Sequence, residues 1–210
     1  MAIIHQAQLQ PTKLELLEGW LPGRPWFTAK GSGVSKVGAF RFDDPAGEVG
    51  LETILVAADE DVYQVPLSYR ASPLAGAEAF LVGTMEHSVL GKRWVYDACA
   101  DPCYAEVLAA TVLTGQPQAN HYLDVDGRLE VMPESVVVGS TGPFLAERPA
   151  VRQITARDTA TGTVVRAGDL EVLVKRRLDI PAQPAPARSM TGTWEGQSGP
   201  VILAVAAGGA

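Results

Sequence analysis

Asp101-Pro102 opens the segment that most constrains what this chain can fold into. Asp supplies an N-cap oxygen, and Pro sits at the first helical position, where its missing N–H costs nothing. Tyr104, Val107, Leu108, Thr111 and Val112 then recur at helical spacing, and Gly115 stands where a left-handed C-terminal residue is expected. Ala105, Ala109 and Ala110 fill the remaining faces, so the predicted helix, Cys103 to Thr114, is apolar over most of its circumference. Such a helix has to be covered on several sides. The sequence around it reads as strands. The expectation is an α+β fold, a curved antiparallel sheet wrapped around this mostly buried helix.

The strand pattern begins at Val34, where the hydrophobic period becomes two and Phe40 and Phe42 share a face. Leu51 to Ala58 and Val62 to Tyr69 flank the acidic turn Asp59-Glu60-Asp61, and Pro66 predicts an edge position for the second of them. Ala79 to Met85 and Lys92 to Tyr96 are two more strands. Beyond residue 120, strands are expected at Leu129 to Met132, Val136 to Ser140, Val151 to Thr155, Thr163 to Arg166 and Leu170 to Leu178. Gly127 and Gly168, each beside an Asp, predict hairpin turns. Pro181, Pro184 and Pro186 make 180–188 a strap. Thr193 to Glu195 and Val201 to Val205 are expected to return as a hairpin and to pack on or pair with the strands of 163–178. The tail from Ala206 to Ala210 reads as frayed. Before all of this, Thr12 and Glu15 form a capping box for a short amphipathic helix, Lys13 to Trp20, stopped near Pro22-Gly23. The reading divides the chain into a cap-like α+β domain, 1–120, and a β-rich extension, 121–210.

Charge and composition exclude several roles. Seventeen Lys+Arg against 24 Asp+Glu give a net charge of −7 with no basic block, so no nucleic-acid partner is expected. No apolar run approaches the roughly 18 residues of a membrane span. Met1 to Gln6 lacks the basic and apolar regions of a signal peptide. A cytoplasmic protein is expected, without a membrane partner.

The side chains that could carry chemistry are scattered. His5, His87 and His121 show no ligand spacing, and Cys99 and Cys103, the two cysteines, are four apart and read as small buried thiols. No metal and no cofactor is expected. Asp43-Asp44, Asp59 to Asp61 and Asp124/Asp126 lie in predicted turns. Gly31-Ser-Gly33 precedes a strand and Gly139 to Gly142 runs into Pro143, so neither forms a phosphate loop. Ser140 and Ser189 have no nucleophile context. Lys175-Arg176-Arg177 ends the strand pattern Leu170 to Lys175. Its ordinary reading is an outward lysine on a solvated basic strand end. The sharper reading is a strand lysine that meets nucleotide phosphates.

Trp20, then Arg24-Pro-Trp26-Phe27-Thr-Ala-Lys30-Gly31, then Tyr63 to Leu67, and Arg93-Trp-Val-Tyr96-Asp97 leading into the predicted helix, resemble the N-terminal cap domain of actinobacterial maltokinases. Downstream, Thr161 to Leu178 resembles the hairpin that opens the kinase N-lobe of those enzymes, with Lys175 in register with their nucleotide-binding lysine. The resemblance spans about residues 10–180. It implies a cystatin-like cap followed by a β-rich extension resembling part of a kinase N-lobe, hairpin 163–178. In this sequence no catalytic-loop His-x-Asp and no metal-binding Asp follow the lysine, and His121-Tyr-Leu-Asp124 precedes it. Phosphoryl transfer by the usual parts is therefore not expected. The expectation is a non-catalytic maltokinase N-cap-like protein. It would be a binding or regulatory partner of a kinase or α-glucan enzyme in bacterial α-glucan and trehalose metabolism, the route of maltose 1-phosphate. The alternatives are a small enzyme using a cystatin-like pocket, or a nucleotide sensor acting through Lys175. Trp26 and Phe27 are expected to pack over one end of the sheet.

Overall fold

The structure is a computed structural model that describes residues 2–4, 8–31, 33–125 and 128–207. In chain order, β1 (Ala2–Ile4) and β2 (Leu9–Gln10) precede α1 (Lys13–Trp20). Strands β3 (Ser35–Phe42), β4 (Gly50–Ala58), β5 (Asp61–Arg70), β6 (Leu81–His87) and β7 (Gly91–Asp97) lead to α2 (Pro102–Thr114). Then come β8 (His121–Val125), β9 (Arg128–Val131), β10 (Val136–Ser140), β11 (Ile154–Asp158), β12 (Gly162–Ala167), β13 (Leu170–Lys175), β14 (Ser189–Trp194) and β15 (Val201–Ala207). The fold is mostly β. One antiparallel sheet, in the order β2-β6-β7-β5-β4-β3, curls into a half-barrel; a second has the order β10-β14-β15-β13-β12-β11. A small sheet joins β1 to β8 in parallel and β8 to β9.

Both helices form where local signals place them. The Thr12 hydroxyl accepts from the Glu15 amide, and the Glu15 carboxylate accepts from the Thr12 amide at 2.7 Å. Asp101 Oδ1 accepts from the Cys103 amide at 3.0 Å, Pro102 is the first residue of α2, and Gly115 closes it at φ +72°.

Strand β4 shows why the run Leu51 to Ala58 is almost continuously apolar. Leu51 and Leu55 face one core, while Ile54, Val56 and Ala58 face another. The second core holds Leu17, Trp20, Leu21, Trp26, Tyr63 and Val95, so α1 covers one face of the first sheet. The first holds Phe40 and Phe42, then Tyr104, Leu108 and Val112 of α2, then Val165, Val172 and Leu203 of the second sheet. Helix α2 is therefore not wrapped by one curved sheet. It lies in a core shared by two, because its apolar circumference offers a face to each.

Several strand expectations are corrected. Pro66 is not on an edge: β5 lies between β4 and β7. The Gln64 amide donates to Arg176 O at 2.7 Å, away from β4, and so sets the side to which Pro66 also points. On that side β7 pairs only from Leu67 onward. Pro66 falls where β5 changes partner, so its missing donor is not needed. The strand expected at Val151 to Thr155 is displaced to Ile154–Asp158, after Gln153 at φ +49°. Strands β1, β2 and β8 are additions to the strands expected from the sequence. The turn at Asp126-Gly127 and the tail 208–210 lie outside the described residues, while Ala206 and Ala207 complete β15.

The C-terminal hairpin does pair with the 163–178 region: β15 runs antiparallel to β13, with Leu173 opposite Val205. After Lys175 the chain leaves β13 and docks on β5, where the Leu178 amide donates to Val62 O at 2.9 Å.

Candidate functional site

The residues singled out by sequence converge on that docking point. The Val62 to Tyr69 pattern contains Gln64, a polar residue facing the second sheet. Its side chain is fully buried, and Nε2 donates to Lys175 O and to Leu203 O, both at 2.9 Å. One amide thus ties β5 to two strands of the other sheet.

Arg176 lies beside it. The basic strand end is not solvated as a unit, because its three cations meet different surroundings. Lys175 Nζ is 2.8 Å from Asp179 Oδ2 with its side chain 21% exposed. Arg177 Nε donates to Asp61 Oδ1 at 3.0 Å on the surface. Arg176 is wholly buried. Its Nη2 donates to Asp97 Oδ1 at 2.6 Å and contacts Oδ2 of the same carboxylate; Nε donates to Thr163 Oγ1 at 2.8 Å, and Nη2 reaches Cys99 Sγ at 3.2 Å. The guanidinium carbon stands 4.9 Å from the centre of the Trp26 ring, a cation–π geometry. Burial opposes the Arg176 charge most strongly of any single influence, but the Asp97 carboxylate and the other groups around it, Asp158 among them, together raise the pKa. Burial holds the Cys99 thiol protonated, well above its ordinary range.

The aromatic cluster builds outward from there. Trp26 is fully buried, edge-on to Trp20 at 5.8 Å, and Phe27 meets Tyr63 at 4.8 Å. Arg24 stacks over Trp20 at 4.8 Å. Lys30 takes part through its backbone, whose amide donates to Asp59 Oδ2 at 2.7 Å. A second buried charge lies on the α1 face: Glu52 accepts from Tyr69 Oη at 3.0 Å and pairs with Lys13. Burial works to raise the Glu52 pKa, but Lys13 and Arg41 pull it down to about 2.

The other candidates stay apart. His87 Nδ1 accepts from the Val89 and Leu90 amides, while the side chains of His5, His121, Asp124 and Asp126 lie outside the described residues. Asp44 serves the turn amides of Ala46, Glu48 and Val49. Cys99 and Cys103 are free thiols. Ser140 Oγ donates to Thr111 O and Ser189 Oγ to Pro186 O. Among the described residues no group of His, Cys, Asp and Glu could hold a metal ion.

Sequence reasoning missed the Asp97–Arg176 pair and its partners Gln64 and Thr163. A signal existed: Gln64 interrupts an apolar strand, and Asp97 directly precedes the buried helix region. Neither residue announces a partner about 80 or 110 positions away.

Residues 20–101 match the family model of the maltokinase N-terminal cap domain. No curated protein matches the chain. The matched segment, a maltokinase N-cap-like domain, contains Trp26, Gln64, Asp97 and Cys99; Thr163 and Arg176 lie beyond it.

Proposed function

We propose that this chain, whose residues 20–101 form a maltokinase N-cap-like domain, is a non-catalytic binding or regulatory partner of a kinase or another enzyme of bacterial α-glucan and maltose 1-phosphate metabolism. On this reading the first sheet is the cystatin-like cap, and β12–β13 is the counterpart of the hairpin that opens a kinase N-lobe. The protein works in the cytoplasm through protein contact, without nucleic acid, membrane or cofactor.

The observation that carries the reading is the use made of the basic strand end. In a kinase nucleotide site the strand lysine contacts phosphate, and the strand that carries it belongs to the kinase lobe. Here Arg176 is spent on Asp97, and the Lys175 carbonyl on Gln64, so the hairpin is bound into the cap segment. The test is incubation of the full chain with maltose, ATP and magnesium. No maltose 1-phosphate above buffer is expected. Turnover that scales with protein and vanishes in Lys175→Ala would overturn the proposal.

One observation favours a second reading, a nucleotide sensor. Lys175 is partly exposed, and its partner Asp179 is 56% exposed, so a phosphate could compete for the ammonium. Calorimetry with ATP-Mg separates the two: heat of binding that is lost in Lys175→Ala supports the sensor.

A further inference from the structure

A strand at a sheet edge leaves half of its backbone groups without a ladder partner. The two six-strand sheets have four such edges. β2 is two residues long. On β3, Ser135 Oγ bridges the N–H and C=O of Ala39, and Arg41 O accepts from the Ala119 amide. On β10, the Gln118 side chain accepts from the Val138 amide and donates to Val136 O. β11 has no such cover among the described residues.

Its free groups can be assigned. The Thr159 amide donates to Gly162 O at 2.7 Å, which makes 159–162 a hydrogen-bonded pair of the β11–β12 hairpin. Alternation then points the backbone of Arg157 and Thr155 at β12, and that of Ile154, Ala156 and Asp158 outward. Three N–H and three C=O groups line the edge.

The surrounding charge selects the occupant. Arg157 on the strand and Arg152 just before it are exposed and form no ion pair with a described residue, in a chain of net charge −7. The nearby Asp158 accepts from Thr163 Oγ1 at 2.6 Å and pairs with Arg24 at 4.0 Å, its side chain mostly buried. Two copies paired antiparallel about Ala156 would set their Arg157 side chains diagonally on one face, which like charge disfavours. We propose that the β11 edge docks an extended acidic segment of a protein partner, which adds to the second sheet as a further strand. This inference rests on the partner-binding reading above and names its surface.

The test uses the full chain and two capped nine-residue peptides, one alternating Glu with Val, the other Lys with Val. Amide hydrogen exchange is read at Ile154, Ala156 and Asp158. The acidic peptide at saturation should slow these three amides at least tenfold and the basic one should not. The effect should be lost in Arg152→Glu/Arg157→Glu, whose surface changes leave the melting temperature unchanged. Equal protection by both peptides, protection by neither, or a dimer already protected at these amides would each overturn the proposal. Peptide failure without maltose 1-phosphate formation removes the edge alone. Turnover in the kinase assay removes the underlying reading whatever the peptides do.

Discussion

Arg176 donates to Asp97 at 2.6 Å with both side chains fully excluded from solvent, joining the segment that follows β13 of the second sheet to the end of β7 in the first. Two ions taken out of water are stabilising only when they meet each other and further hydrogen bonds. Arg176 also has Thr163, and Asp97 also accepts from the Cys99 amide at 3.1 Å. The pair is therefore expected to specify how the two sheets sit together more than to add net stability.

Removing one partner strands the other. Asp97→Ala and Arg176→Ala should each cost about 3–5 kcal/mol, read by urea unfolding. The double variant, Asp97→Ala with Arg176→Ala, should cost clearly less than the sum of the singles. Additive losses would show that the two charges do not act as a pair.

Trp26 supports the same guanidinium from the other side. Its ring is buried completely and contacts Trp20, Tyr63 and Arg176. Trp26→Ala should cost about 3–5 kcal/mol. An unchanged melting temperature would mean that the ring is not part of the core in solution.

The sequence made the local elements plain and the pairings obscure. The capping box at Thr12 and Glu15 and the Asp101-Pro102…Gly115 signature depend on neighbours within a turn, so they could be read directly. Burial of Trp26 followed from its place between helix and strand. Pro66 misled because proline in a strand is an edge signal only when some strand would need its N–H, and here the partner changes at that position. Arg176 misled because an arginine after a strand lysine is usually solvated, and its counter-charge is fixed by the packing of two sheets.

Glu52 makes stability depend on acid. Its pKa is held at about 2, against 4.5 for an ordinary glutamate: burial opposes the charge, and Lys13, Arg41 and hydrogen bonds from Lys13 and Tyr69 overcome it. A carboxyl whose folded pKa is depressed stabilises the fold above its unfolded pKa. The contribution is lost as pH falls from about 4.5 to about 2, and amounts to about 3 kcal/mol. Asp44, Glu15 and Glu78 are lowered as well, so the informative quantity is a difference. Unfolding free energy measured from pH 6 to pH 2 should fall less steeply in Glu52→Gln than in the parent. Parallel curves would exclude Glu52 as a source of the acid sensitivity.

The C-terminal hairpin closes the second sheet from its middle. Strand β15 pairs with β13 on one side and β14 on the other, and β14 carries β10. Leu203 is buried among the residues that meet α2, and its carbonyl accepts from Gln64. Deleting 189–210 would separate β10 from β13, bare the edge of β13, and leave Val172 and Val174 against solvent. It would also take one acceptor from the buried Gln64 amide, a group that is expensive to leave unpaired. The truncated chain should aggregate or lose its cooperative transition, read by size-exclusion chromatography and thermal unfolding. Leu203→Ala asks the same question without removing a strand and should cost about 2–5 kcal/mol. A monomeric truncation with an unchanged melting temperature, together with a neutral Leu203→Ala, would show that the cap segment does not depend on the sheet built against it.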